Sequence, residues 1–408
     1  MGINTVQKGK ILSLAIAHML NDWYMNFIQT LLPFIVALGM GVGKAAFLIS
    51  AFTTTASILQ PVFGYLVDRK NQRWMVYVGT IWMAVLLSLI GLTSNYYLLL
   101  VLAALSGLGT AAFHPQAAAM VSAVSGARKG FFQSIFIAGG NVGWALTPLM
   151  VIPLIKIYGM GITPVFAVPG MLVAILLWFT APRISAVKKT DSGPRMTVSL
   201  TSSFELVKVV LIVACRSLTY FGLIAFLPLY LQTHNISIVA SSNLLFIMLF
   251  AGAIGGVFGG HLSDKLGRKT VISASLILSA PCFYLFLQNS GLAMYIFLTL
   301  AGAALLASFS ITVVLAQEII SKNAAMASGL TLGFGIGMGG LGVGIIGVII
   351  EHMGISYGIN LLVWLPLLAG LLAFTLRKRS MIPALAQNST AAIGKPGIAL
   401  FFFNSASS

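Results

Sequence analysis

Gly64-Tyr-Leu-Val-Asp68-Arg69-Lys70-Asn71-Gln72-Arg73 and Gly260-His-Leu-Ser-Asp264-Lys265-Leu-Gly267-Arg268-Lys269 decide how this chain is read. Each is a short charged stretch between two long apolar runs. Gly64 and Gly260 are 196 positions apart, and so are Asp68 and Asp264. A charged hairpin recurring at one interval marks a duplicated unit, and duplicated units in a membrane pack as facing halves.

The composition requires the membrane. Of 408 residues, 59% are hydrophobic and only 7% charged, with a mean hydropathy of +1.01. A soluble domain carries about 25% charged residues, so this chain cannot cover a surface that faces water. The apolar runs are too long for strands and lack period-two alternation, so they are predicted to be helices. The first run exceeds a signal h-region and is expected to remain as a span.

A span needs about 20 apolar residues, and the sequence predicts twelve: 11–38, 45–67, 75–94, 97–123, 130–156 and 164–181, then 206–232, 240–262, 270–289, 292–319, 326–350 and 357–376. This divides the chain into an N-terminal six-helix bundle (1–181), a linker (182–205), a C-terminal six-helix bundle (206–379) and a tail (380–408). The linker contains Lys188-Lys189-Thr190-Asp191-Ser192-Gly193-Pro194-Arg195, polar and broken by a Gly-Pro step, as suits a flexible connection. The net charge of +16 does not point to nucleic acid, because the cations sit in short loops between spans. Twenty of the 23 Lys and Arg fall on the side of the N-terminus, two (Lys44 and Lys156) on the other, and Arg216 lies inside a span. Cations gather on the cytoplasmic face, so both termini are expected there, in the inner membrane.

Span 1 carries the densest polar pattern. His18, Asp22, Asn26 and Gln29 recur at steps of four, four and three, forming one stripe on an otherwise apolar helix, with Asn21 beside it. Asp22 lies about 16 Å into the span at 1.5 Å per residue, near the midplane. Ionisable groups at that depth are expensive and serve function by default. Such a carboxyl gains and loses a proton as its surroundings change; a permanent ion pair that fixes packing is the competing reading. Arg216 in span 7 reaches the same depth from the other half, so an Asp22–Arg216 interaction across a central cavity is expected. His114, beside Pro115 in span 4, is either a proton relay or an imidazole satisfied by a carbonyl that the proline frees. Gln116 can bind a solute but carries no proton. Glu318 ends span 10 and is either a second proton site or an interfacial charge.

Span 11 holds nine glycines between Gly329 and Gly347, for close helix packing, for bending, or for both. Cys215 and Cys282 lie within spans and suggest no disulfide framework. His234, His261 and His352 lack metal-ligand spacing, and no cofactor is expected. There is no Walker loop, nucleophile elbow or pair of catalytic carboxylates, so neither an ATP-driven pump nor an enzyme is expected.

Twelve spans in two halves, with Gly-x-x-x-Asp-Arg/Lys after spans 2 and 8, resemble the major facilitator superfamily. The second copy keeps the whole loop pattern; the first has Asn71 where glycine is usual. Gln60-Pro61-Val-Phe-Gly64, Gly107-Leu-Gly109-Thr-Ala-Ala-Phe113-His114-Pro115, Gln133-Ser134-Ile135-Phe136-Ile-Ala-Gly139-Gly140-Asn141 and Ala316-Gln317-Glu318 are, together, similar to the fosmidomycin resistance protein family of bacterial efflux transporters. The resemblance implies a secondary active transporter working by alternating access, a proton-coupled antiporter exporting a small anionic or amphiphilic compound. The residues expected to couple protons are Asp22, His18, His114 and, on the resemblance, Glu318; those expected to contact substrate are Arg216, Asn26, Gln29, Gln116 and Asn141. The resemblance also implies gating at Asp68, Arg69, Arg73, Asp264 and Arg268. The family's drug is a phosphonate, which a guanidinium can hold by two hydrogen bonds. The expected partners are a small-molecule substrate, protons and the lipid bilayer, with the protein a monomer. Uptake of a sugar or organic acid by proton symport, or a transport-inactive sensor on the same scaffold, are the alternatives.

Overall fold

A computed structural model of the chain describes residues 6–69, 72–125, 129–183, 200–319 and 329–377. The described residues form helices and their connections, with no strand among them. Residues Met1–Leu376 make one compact unit, and Arg377–Ser408 a second of which only Arg377 is described. The tail 380–408 and most of the expected linker lie outside the described residues.

All twelve spans are present. Span 1 is Lys8–Met25 and Phe27–Ala37; span 2 is Val42–Ile58 and Gln60–Arg69; span 3 is Trp74–Ser88; span 4 is Tyr96–Val124; span 5 is Lys129–Tyr158; span 6 is the 3-10 turn Met160–Phe166 and Ala167–Thr180. Span 7 is Leu200–Thr233, which starts inside the linker predicted at 182–205; span 8 is Ile238–Leu266; span 9 is Arg268–Gln288; span 10 is Gly291–Ala307 and Phe309–Ile319; span 11 is a π-helical turn Gly329–Gly335 and Ile336–Met353; span 12 is Ile355–Phe374. Eleven of these are long and apolar enough to cross a membrane. Span 1 is the other one: it carries Lys8, Lys10 and Asp22 and is interrupted at Asn26.

The helix ends follow local chemistry. Asn95 accepts from Leu98 N–H at 3.1 Å, and Ser237 from Ala240 N–H at 3.1 Å, capping spans 4 and 8. Single glycines join spans 8 to 9 and 11 to 12. Gly267 has φ +89° and Gly354 φ +88°, a conformation that other residues rarely adopt. Large apolar side chains such as Phe179, Val257 and Leu292 point outward, as befits a molecule whose surroundings are lipid.

The glycines of span 11 line two faces. Gly337, Gly340, Gly344 and Gly347 meet Ser57, Thr53, Ser50 and Ala46 of span 2; Gly335, Gly339 and Gly342 meet Val213, Ser217 and Leu218 of span 7. A Cβ on Gly340 would lie 2.2 Å from a Thr53 carbon. Without hydrophobic drive between helices in lipid, such close approach supplies the packing. Ser50 uses that closeness: its hydroxyl donates to Gly340 O at 2.9 Å and accepts from Gly344 N–H at 3.0 Å.

On the membrane face opposite the start of span 1, Glu351 at the end of span 11 caps span 2. Its Oε2 accepts from Gly43 N–H at 3.0 Å, where Gly41 offers no side chain. Glu351→Ala is expected to lower stability by about 1 kcal/mol, the usual value of an N-cap, read as a lower Tm in detergent. Glu351→Gln retains an acceptor and should lose less.

Candidate functional site

The polar stripe of span 1 faces spans 4 and 5 within the bundle. Three features hold span 1 against its neighbours. Gly139 and Gly143 of span 5 meet the Ala15 and Met19 carbonyls of span 1, where side chains would not fit. Asn26 Nδ2 donates to Trp144 O at 2.9 Å, tying the break in span 1 to span 5. Asn21 Nδ2 donates to Thr80 Oγ1 at 2.9 Å, tying the next face to span 3.

Inside this frame lies a His–Asp–His cluster. Asp22, 8% exposed, has His114 Nε2 at 3.0 Å from Oδ1 and His18 Nε2 at 3.5 Å from Oδ2. Each imidazole is held from behind by a main-chain carbonyl. His18 Nδ1 lies 2.7 Å from Phe136 O of span 5, and His114 Nδ1 lies 2.9 Å from Thr110 O, one turn back in span 4. His18 also stacks on Phe136, with ring centroids 4.0 Å apart and planes 8° from parallel. Gly140 leaves the cluster its room, because a Cβ there would lie 2.3 Å from Asp22 Oδ2 and 2.6 Å from His18 Cε1. The three donor atoms lie within 4.8 Å of one another, compact enough to share one cation. The 3.0 Å contact between His114 Nε2 and Asp22 Oδ1 is within hydrogen-bond distance.

Arg216, on span 7 of the other half, is also buried, 1% exposed. Its Nη1 donates to Thr312 Oγ1 at 3.2 Å, and its guanidinium carbon lies 4.7 Å from the centroid of the Phe309 ring. Among the described residues no carboxylate lies within 4.0 Å of it. The expected Asp22–Arg216 pair is therefore not made. Asp22 has two imidazoles closer at hand, brought in by spans 1 and 4 of its own half. Tyr220, one turn along span 7 from Arg216, lies within electrostatic reach of both Asp22 and Arg216. It packs on Trp144 with centroids 5.7 Å apart.

The remaining candidates divide between this interior and its edges. Gln29 is 1% exposed, and its Oε1 has no hydrogen-bond partner, as is true of Asn26 Oδ1. Asn141 is half-buried, one residue from Gly140. Gln116 is fully buried and turned away from the cluster: its Oε1 accepts from Gln72 N–H at 3.3 Å, in the loop between spans 2 and 3. Glu318 also stands apart from the cluster. It accepts from Arg268 Nε at 2.8 Å, with Nη2 at 2.6 Å, and is partly exposed at the end of span 10. Arg268 lies 3.9 Å from exposed Asp264. Arg73 donates to Trp178 O at the end of span 6. Asp68 and Arg69 end the helix Gln60–Arg69, and their side chains lie outside the described residues. Pro115 frees the Ala111 carbonyl, yet His114 uses that of Thr110.

Three residues of this site are given no role by the sequence alone. Gly140 reads as one more small residue. Thr312 is an ordinary hydroxyl in an apolar run. Tyr220 could have been found: it is four residues from Arg216 and shares its face.

The family model of the Major Facilitator Superfamily matches residues 14–252 and 209–406. The chain belongs to the Major Facilitator Superfamily. It is a multi-pass membrane transporter. It is 33% identical over 373 residues to the fosmidomycin resistance protein of Escherichia coli (strain K12), covering 89% of this chain and 91% of that one. It is 31% identical to the uncharacterized MFS-type transporter YfnC of Bacillus subtilis (strain 168), covering 90% and 92%. The multidrug resistance protein MdtG of Dickeya zeae (strain Ech586) is 29% identical over 55% of this chain and 57% of its own. Among solved structures, a single-residue mutant of the nucleoside transporter NupG superposes with a TM-score of 0.72 at 13% identity, over 90% of this chain and 96% of that one. A bacterial homolog of the human lysosomal transporter Spinster, inward-facing and occupied, gives 0.69 at 17%, again over 90% and 96%. Both share the fold.

Gly140→Ala is expected to cost about 1–3 kcal/mol through overpacking, and to push span 5 off the cluster. A larger fall in Tm than for Gly161→Ala, where a Cβ meets nothing within 4 Å, is the check.

Proposed function

We propose that this transporter is a proton-driven antiporter of the inner membrane that exports a small anionic or amphiphilic compound of the fosmidomycin type. Two six-span halves rock about a central site, with both termini in the cytoplasm. One observation supports the reading: a buried guanidinium in one half, with no carboxylate partner among the described residues, and a buried carboxylate in the other, already engaged by two imidazoles, both interact with Tyr220. The first is a place for an anion, the second a place for protons. The names of the similar resistance proteins favour export.

The cycle follows from charge and space. An imidazolium within the bilayer keeps its proton while a carboxylate faces it. His114 and Asp22 come from different spans, so that proton also draws span 4 to span 1. A solute entering from the cytoplasm docks its anionic group on Arg216, where paired N–H donors suit a phosphonate. Gln29, Asn26 and Asn141 supply polar contacts nearby. The body of the solute occupies the interior beside Tyr220 and prises span 1 from span 4. His114 then loses the partner that holds its proton and gives it up to cytoplasmic water. On the outer side, a proton from outside restores the His114–Asp22 contact, spans 1 and 4 close, and the solute leaves. Proton and solute thus exclude each other, as antiport requires. The pair Arg268–Glu318, with Asp264 beside it, and Arg73, bonded to the Trp178 carbonyl of span 6, form the cytoplasmic gate together with Asp68 and Arg69.

In proteoliposomes with an imposed pH gradient, the wild-type protein is expected to move fosmidomycin against its concentration gradient. Asp22→Asn should abolish that transport while leaving fosmidomycin binding measurable; full pH-driven transport by this variant would remove Asp22 from the coupling. Arg216→Ala should weaken binding about tenfold or more, the value of a charge-assisted hydrogen bond of about 1.5–3 kcal/mol. An unchanged Kd would end the anion assignment. Expression in a susceptible bacterium should raise its tolerance of the drug, and a lowered tolerance would indicate uptake.

A further inference from the structure

The hydrogen bonds behind the two imidazoles count the protons that the cluster can take. A peptide carbonyl only accepts. The 2.7 Å contact of His18 Nδ1 with Phe136 O therefore needs a proton on Nδ1, and so does the 2.9 Å contact of His114 Nδ1 with Thr110 O. The Thr110 hydroxyl, 3.1 Å from the same His114 nitrogen, can share that donor without replacing it. Both rings thus carry Nδ1–H whatever their charge, and both turn Nε2 toward the carboxylate. With only those protons, each Nε2 lone pair faces a carboxylate oxygen. Each contact closes only when one further proton is added.

We infer that the His18–Asp22–His114 cluster is a two-proton store, with His18 a second proton site beside His114, and that both imidazoles are locked in the Nδ1–H tautomer. This rests on the reading of the cluster as the site of proton coupling. Its three states differ by whole protons. The empty cluster is an anion, one proton makes it neutral, and two make it a cation. No bond other than N–H forms or breaks, and the protons come from water. The contacts rank the sites. His114, at 3.0 Å, fills first, and His18, at 3.5 Å, fills second. The second imidazolium is not left in bare hydrocarbon, because the Phe136 ring lies flat against it at 4.0 Å.

The surroundings leave the count to these three residues. Span 5 faces the cluster with Phe136 and Gly140, span 3 presents Thr80 through Asn21, and span 6 meets span 1 at Tyr24 through the Phe166 carbonyl and Gly170 N–H. Span 7 brings the other groups that titrate or carry charge near it, Tyr220 and beyond it Arg216.

The test is nitrogen NMR of ¹⁵N-histidine-labelled full-length protein in lipid nanodiscs, followed from high to low pH. His234, His261 and His352, all outside the cluster, are changed to Gln so that only His18 and His114 report. At high pH both rings should show Nδ1–H with a bare Nε2, opposite to the tautomer that free imidazole side chains prefer in water. On acidification both Nε2 signals should shift to the protonated position, in two separable steps. A ring in the Nε2–H form at high pH, or only one ring that titrates, overturns the two-proton store. The same sample fused into proteoliposomes separates this from the transport reading. Two titrating rings in a protein indifferent to a pH gradient would uphold the store and sink the coupling. One titrating ring in a coupled transporter would do the reverse.

Discussion

A carboxylate at the middle of a span has to be matched by a positive charge or neutralised, since it otherwise costs at least about 2.5–3.5 kcal/mol to insert. In this protein Asp22 has His114 at 3.0 Å and His18 at 3.5 Å, and on the proposed reading a proton on His114 supplies the match. Much of the N-terminal half exists to make that contact possible. The Gly139, Gly140 and Gly143 stripe lowers span 5 onto span 1. Asn21 and Asn26 tie span 1 to spans 3 and 5 by hydrogen bonds that need no titrating group. Phe136 O and Thr110 O fix the rings from behind. On the proposed reading the result joins two helices by a proton, whose supply differs across an energised membrane.

Arg216 is the complementary case. Its partners, a threonine hydroxyl and an aromatic face, stabilise a guanidinium without cancelling its charge. On the proposed reading, an anion that arrives there supplies the countercharge that the described residues do not. Tyr220 lies within electrostatic reach of both charges. The seam of spans 2 and 11 is the mechanical counterpart. Serine and glycine pack the two helices backbone to backbone, and Glu351 fastens one end. Polar contacts of this size can be broken and remade in each cycle, which a seam of interlocked large side chains would resist.

Much of this was legible in the sequence. Hydropathy placed the twelve spans to within a few residues, because lipid tolerates little besides helices of that length. The 196-residue repeat implies two halves. The stripe His18, Asp22, Asn26 and Gln29 was visible because helical periodicity is local. What could not be read was which side chains meet between helices. His114 lies 92 positions from Asp22, and its proximity depends on how span 4 packs on span 1, which no local pattern encodes. The expected Asp22–Arg216 pair came from the symmetry of the halves and overlooked a nearer partner within one half. Gln116 is expected at the substrate from its hydrogen-bonding chemistry, and Glu318 as a proton site from the resemblance. The fold spends one on a loop amide and the other on Arg268.

The central claim is that solute and proton compete for the contact between spans 1 and 4. The direct measurement is made on purified protein in nearly unbuffered detergent at neutral pH, with a pH-sensitive dye reporting as fosmidomycin is added. The account predicts that binding releases protons, and that Asp22→Asn binds without releasing them. Proton uptake on binding, or none exchanged by a wild type that binds, would contradict it.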